Sequence, residues 1–256
     1  MKKVFAKIIS AGLILTMGLS MASCATKKSM TVKKGKLVMA TNAYFPPYEY
    51  YDNSTIVGID AEIAAAVAKK LDLELEIQDV EFDSIIAGVQ SNKYDIGMAG
   101  MTVTEERKKA INFTDTYATG VQVVIVPENS EITDVDTLLN GDYKVGVQTG
   151  TTGDIYMSGD IGDDRVVRFS KGNDAVLALS TGKVDAVVID NEPAKSFVAS
   201  NEGLKILDTA YVEEQYAMCV NKNNTELLEK INTALKELTE DGTIPAIIEK
   251  YIPSNG

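Results

Sequence analysis

Between Lys36 and Asp190 the chain alternates short apolar runs with stretches of helical period, and it does so twice. No other feature narrows the fold as much. KLVMAT (36–41) reads as a strand, and GIDAEIAAAVAKKLD as a helix with Ile63, Val67 and Leu71 four apart. LELEIQDV alternates like a strand, FDSIIAGVQSNK is helical, and YDIGMAG is the next strand. After the β-branched run VQVVIVP the order resumes. YKVGVQTG, DDRVVRFS and VDAVVID read as strands, and the helical patterns GTTGDIYM and GNDAVLALSTGK lie between them. Such alternation predicts an α/β architecture with largely parallel pairing, in two lobes of about one hundred residues each.

The two halves share a unit of helix, Lys-x-Asp turn and strand. It recurs in SIIAGVQSNKYDIGMAG and AVLALSTGKVDAVVID, and five residues past the aspartate lie Gly100 in the first and Asp190 in the second. The repeat is weak, since similar units recur in many α/β proteins. VQVVIVP and YAMCV are read as the segments that cross between lobes. The amphipathic TELLEKINTALKELTEDG, closed by Gly242, and TIPAIIEKY are expected to return to the first lobe.

The first residues are not read as part of the fold. Lys2, Lys3 and Lys7 precede an apolar run from Ile8 to Ala22, the pattern of a secretory signal and too short for a confident spanning helix. LSMASC resembles the lipobox of bacterial lipoproteins, with Cys24 as the lipidated first residue. The polar, basic ATKKSMTVKKGK then reads as a tether beside lipid head groups. The expected organisation is a signal peptide (1–23), a lipid-anchored tether (24–35), a first lobe (36–121), a second lobe (122–216) and a return to the first (217–256). The protein is placed on the outer face of a bacterial cell membrane.

Composition excludes several chemistries. The net charge is −12 over 256 residues, and a leader with three lysines and no acid leaves the remainder more acidic still. Nothing offers a basic face to nucleic-acid phosphates. There is no histidine, and Cys219 is the only cysteine besides Cys24. Histidine-based nucleophilic triads, the usual zinc sites and a disulfide beyond the leader are therefore excluded. Neither a metal nor a cofactor is expected.

Candidate binding residues cluster at strand ends, where open α/β sheets take their ligands. In GMAGMTVTEER, Gly100 admits a close backbone approach and Thr102 offers a hydroxyl. Thr104 reads as an N-cap, which places Arg107 on the first helical turn. A guanidinium matches a carboxylate with two parallel hydrogen bonds; the plainer alternative is a surface salt bridge. In the second half, Thr151 and Thr152 stand at a strand-to-helix junction whose amides favour an anionic oxygen, and Asp190 at a strand end suits an ammonium. A cation on one lobe and an anion on the other suit a zwitterion, of which an α-amino acid is the simplest.

The stretches TNAYFPPYEY, GIDAEIAAAVAKKL, FDSIIAGVQSNKYDIGMAGMTVTEERKKAINFT, VGVQTGTTGD, VDAVVIDNEPA and LKELTEDGTIPAIIEKY together resemble the extracellular amino-acid-binding proteins of ABC importers, solute-binding family 3. The resemblance runs from about Lys36 to Tyr251. It implies a type II periplasmic-binding-protein-like fold, two α/β lobes closing around two hinge strands, monomeric and not an enzyme. By motif position Arg107 grips the ligand carboxylate, with Gly100, Thr102, Thr151 and Thr152 adding contacts. Asp190 takes the ammonium, and Phe45 and Phe82 flank the side chain, although Phe82 also reads as a core aromatic. A free amino acid and the membrane permease are the implied partners. Two alternatives stand beside this reading: an enzyme similar to cyclohexadienyl dehydratases on the same fold, and a ligand-reading partner of a signalling receptor.

Departures from the family pattern bear on the ligand. Asn42 stands where members that take cationic amino acids often carry an acid, Phe45 where tyrosine is frequent, and Ala99 where serine is frequent. No second arginine is placed near the site, which disfavours glutamate and aspartate, because a buried unpaired carboxylate is costly. Arginine, lysine or histidine is the first expectation and glutamine or another neutral polar amino acid the second. Glu49 is a candidate counter-charge that the sequence does not place in the cleft. Cys24→Ala is expected to release the protein from membranes or leave the precursor uncleaved. An intact mass showing cleavage elsewhere and no lipid refutes the anchor.

Overall fold

A computed structural model describes residues 29–253; the leader and Cys24 lie outside them. The first half comprises strands β1 (Lys36–Thr41), β2 (Tyr44–Phe45), β3 (Glu49–Asp52) and β4 (Thr55–Val57), then helix α1 (Ile59–Lys70) and β5 (Glu74–Asp79). A 3-10 turn at Phe82–Ser84 leads into α2 (Ile85–Gln90), and β6 (Ile96–Gly97), α3 (Glu105–Ala110) and β7 (Ile111–Phe113) follow. The second half holds β8 (Ala118–Pro127), α4 (Val135–Asn140), β9 (Val145–Gln148), α5 (Thr152–Ile161), β10 (Val166–Phe169) and α6 (Gly172–Ser180). It continues through β11 (Ala186–Asp190), α7 (Asn191–Ser200), β12 (Leu204–Ile206) and β13 (Val212–Tyr216). Strand β14 (Cys219–Asn221) and helices α8 (Thr225–Glu240) and α9 (Thr243–Tyr251) complete the chain.

Two sheets result. The first has the order β5-β1-β6-β14-β7, and the second β10-β9-β11-β8-β12 with β13 also paired to β8. Pairing is parallel where helices make the crossovers: Met39 lies opposite Ile77 and Ile96, and Val145 opposite Val166 and Ala186. The helices behave as their periodicity demands. Ile59, Ile63 and Val67 of α1 are fully buried, and so are Leu227 and Ile231 of α8, with Leu235 and Leu238 nearly so. Helix α8 belongs with the first sheet, where its Glu237 pairs with Lys70 of α1 and α9 offers Lys250 to Glu62.

The internal repeat survives in atomic detail. Asp95 donates its N–H to the Val38 carbonyl and takes the Val38 N–H on its carboxylate, each at 2.8 Å. Asp185 does the same with Lys144, again at 2.8 Å in both directions. The turn before each aspartate needs a left-handed residue, supplied by Asn92 (φ 57°) and Gly182 (φ 69°). The next residue closes each helix: Lys93 donates to Gly88 and Lys183 to Ala178, both at 2.9 Å.

The crossing between the sheets lies earlier than VQVVIVP. That run is interior to the second sheet, where Val123, Val124 and Ile125 pair with Ile189, Val188 and Val187. A β-branched run suits such a buried central strand. The chain instead leaves the first sheet after Phe113 and enters the second at Ala118, and it returns between Tyr216 and Cys219, within YAMCV. The two crossing segments run side by side. Thr114 and Tyr117 donate their N–H groups to Met218 and Tyr216, and Met218 donates back to the Thr114 hydroxyl.

The end of the expected tether is fastened down. Val32 N–H donates to Asp95 at 2.7 Å, Asn224 donates to the Met30 carbonyl at 2.9 Å, and Lys33 pairs with Glu76. Asp95 thus holds two backbone amides, and Asp185 holds one at the surface. Asp95→Ala is expected to cost about 2–3 kcal/mol and Asp185→Ala about 1 kcal/mol, read from urea unfolding.

Candidate functional site

The strand ends of both lobes meet in one crevice. Asn42, Phe45, Phe82, Gly100, Thr102, Arg107, Thr151, Thr152 and Asp190 all border it, joined by Glu49, Ala99 and Gln148, and the crevice is nearly shut, with a cavity of about 10 Å³. The loop after β6 supplies the first lobe's share. Gly100 adopts φ +51°, and a Cβ there would lie 2.8 Å from the Phe45 ring, so the position requires glycine twice over. Its N–H donates to Asp60 at 2.9 Å. Thr104 caps α3 by accepting the Arg107 N–H at 3.1 Å, which aims the arginine side chain inward.

Arg107 is the one buried lysine or arginine among the described residues, with 7% of its surface exposed. It is not the surface salt bridge of the alternative reading. Its Nη1 donates to the Thr102 carbonyl at 2.7 Å and its Nη2 to the Gly150 carbonyl of the other lobe at 3.0 Å. The Phe82 ring lies 5.5 Å from the guanidinium carbon. Burial pushes the Arg107 pKa down, opposed by the charge of Glu214.

In the second lobe, Thr152 opens α5 with its hydroxyl 3.5 Å from that of Thr102. The first amides of that helix have no intrahelical acceptor. Thr151 lines the crevice, but its hydroxyl is committed: it donates to the Gln148 carbonyl at 2.8 Å and caps α5 by accepting the Asp154 N–H. Asn42 is committed as well. Its amide donates to the Val80 carbonyl at 2.8 Å, and its oxygen accepts Gln148 Nε2 from the other lobe at 2.9 Å.

Four buried carboxyl groups lie in this region: Glu49 and Asp190 on the crevice wall, and Asp60 and Glu214 outside its lining. Glu214 and Asp190 are the two whose charge Arg107 feels. Asp190 accepts the Tyr216 hydroxyl on one oxygen and Gln122 Nε2, at 2.7 Å, on the other. Burial, with Glu214 nearby, raises its pKa to about 7. Asp60 is raised by burial to about 6, even though it accepts the Gly100 amide and the Tyr117 hydroxyl. Burial and the neighbouring Asp60 push Glu49 well above the usual carboxylate range. The Glu49 and Asp60 carboxyl groups also hydrogen-bond each other, and the Tyr156 phenol is partnered by Glu214.

Sequence reasoning missed Gln148, Gln122, Glu214 and Asp60. Gln148 closes an apolar strand with a polar residue, a signal of the kind that singled out Asp190. Asp60 reads as an acid suited to the first turn of α1, and nothing in the sequence announces that it is buried under Gly100. Gln122 and Glu214 sit in alternating strands that flank the crossing, where a polar residue usually faces water.

A crevice between two α/β sheets, reached from strand ends and crossed by paired segments, defines a two-lobed solute-binding protein. Residues 37–254 match the family model of bacterial extracellular solute-binding proteins, family 3, and the chain belongs to that family. The arginine-binding extracellular protein ArtP of Bacillus subtilis is 32% identical, covering 98% of each chain. An ancestral arginine-binding protein, solved bound to glutamine, superposes with a TM-score of 0.81 at 39% identity, covering 86% of this chain and 99% of that one. The arginine-, lysine-, histidine-binding protein ArtJ of Geobacillus stearothermophilus gives 0.80 at 32% identity, covering 85% and 95%. These relatives are binding proteins, and none supports the dehydratase alternative.

The raised carboxyl groups give the stability a definite pH dependence. Asp190 and Asp60 hold protons in the fold that the unfolded chain has already released between about pH 4 and pH 7, so stability falls as pH rises through that window. The melting temperature without ligand is expected to be higher at pH 5 than at pH 8, and Asp190→Asn to flatten the difference. Calorimetric scans across the range check both.

Proposed function

We propose that this protein captures a cationic L-amino acid, arginine foremost, and delivers it to the membrane subunits of an ABC importer. The observation that carries the reading is the pair of buried carboxyl groups on the crevice wall, Glu49 and Asp190, beside a single buried guanidinium. A zwitterion uses Arg107 for its carboxylate and Asp190 for its ammonium and adds no net charge. A cationic side chain adds one positive charge beside the buried Glu49 carboxyl at the crevice wall. Phe45 and Phe82 supply ring faces, worth about 0.5–2 kcal/mol to a cation. The arginine-binding relatives point the same way.

Asn42 no longer argues for an amide ligand, because both ends of its side chain are engaged within the protein. Contacts split between lobes make binding a closure. Thr102 and Arg107 belong to the first lobe, Thr152 and Asp190 to the second, and only the closed form presents them together. The ligand shifts the hinge equilibrium by its greater affinity for that form. The leader and Cys24 would hold the protein at the outer membrane face as a monomeric lipoprotein, with the permease reading the closed shape.

Titration calorimetry with arginine, glutamine and glutamate tests the ligand class. Arginine is expected to bind most tightly, at around micromolar, roughly 8 kcal/mol. Tighter binding of glutamine would shift the assignment to neutral polar amino acids, and tighter binding of glutamate would overturn the charge argument. Arg107→Lys is expected to keep the fold and weaken binding by at least about tenfold, because the bidentate grip is lost. Unchanged affinity would remove Arg107 from the carboxylate site.

A further inference from the structure

Glu214 is used by nothing in the reading above. It lies on β13 with Tyr216, two residues on, facing the same way into the protein, and only 5% of it is exposed. Its Oε2 accepts the Thr102 hydroxyl at 2.9 Å and Gln122 Nε2 at 3.0 Å, and the Tyr156 phenol is hydrogen-bonded to the same carboxylate. Thr152 lies beside the same group, with its hydroxyl 3.5 Å from Thr102 Oγ1 and from Gln122 Nε2. The guanidinium of Arg107, the phenol of Tyr156 and the carboxyl of Asp190 all feel its charge.

A threonine hydroxyl has one proton to donate. Here Thr102 gives it to Glu214, yet a ligand carboxylate held by Arg107, Thr102 and Thr152 needs that same proton. We infer that Glu214 is a built-in competitor for the carboxylate subsite, occupying the Thr102 donor and lowering the affinity for any ligand with an α-carboxylate. The inference rests on the amino-acid reading of the crevice and deepens it.

The backbone brings the two residues together. Thr102 is bridged to Tyr216 through the backbone, the Val103 N–H donates to the Gln215 carbonyl at 3.0 Å, and the Ala217 N–H donates to the Met101 carbonyl at 3.1 Å. That pairing sets Thr102 beside the β13 end, with Glu214 against its hydroxyl. A ligand carboxylate must displace that neighbour, and it meets its like charge as it does so.

Glu214→Gln tests this. The amide can donate to Thr102 Oγ1, which frees the hydroxyl proton for the ligand and removes the like charge. The readout is the ratio of affinities for arginine and for agmatine, its decarboxylated counterpart, measured by calorimetry on the full chain. Glu214→Gln is expected to raise that ratio by at least about tenfold, the weight of one charge-assisted contact. Glu214→Asp, one methylene short of Thr102, is expected to move it the same way and serves if the amide variant does not fold. A purely structural role would shift both ligands alike, so a ratio unchanged or lowered in the folded variants overturns the proposal. If wild-type protein does not bind arginine, the ligand assignment has failed instead. The ratio is then taken for the amino acid that binds best and its own decarboxylated amine.

Discussion

The closed arrangement of this molecule turns on a guanidinium that belongs to one lobe and reaches the other. Arg107 is set inward by the Thr104 cap and spends one terminal nitrogen on the Thr102 carbonyl and the other on Gly150 across the crevice. Its remaining donors face the space between the lobes. The buried carboxyl groups nearby are tolerable because Tyr117, Tyr216, Gln122 and the Gly100 amide share the task of hydrogen-bonding them, and Glu214 and Asp190 also lie within reach of the guanidinium charge.

The same economy governs specificity. Acids that strain toward protonation in the fold are acids ready to take a cation. Asp190, raised to about 7, and Asp60, raised to about 6, mark where binding energy is stored against the cost of their desolvation. Glu214 adds a restraint at the other end of the ligand. On the proposed reading the crevice favours the positive parts of an amino acid more strongly than its negative part.

Much of this was legible in the chain. Gly100, Thr102 and Arg107 are separated by a few residues after a strand, and helix capping carries them to one place. Thr152 and Asp190 sit at the ends of apolar runs, and the Lys-x-Asp turns tie β1 to β6, which leads to Gly100, and the start of β9 to β11, which ends on Asp190. What was not legible depends on which side of a strand faces the crossing. Glu213 and Glu214 are neighbours of the same type, yet one is exposed and the other buried, and only the register of β13 on β8, with Glu214 opposite Gly120, separates them. Gln122 is hidden in the same way inside a run whose β-branched neighbours signal core. The crossing was misplaced because β-branching marks the buried strand, whereas the crossing itself, Thr114–Tyr117, carries no comparable mark.

The fastening of Met30 and Val32 to Asn224 and Asp95 has a mechanical consequence. Five peptide steps separate Cys24 from Ser29, a reach of no more than about 18 Å. With the proposed anchor at Cys24, that leash ends on the first lobe alone and enters it at the rim of the central strands β1 and β6. The first lobe is then the stator, moored close to the bilayer, and the second is the swinging arm. Opening and closing would be performed almost wholly by residues 118–216, and a permease seated in the same membrane would sense the position of that arm against a fixed reference.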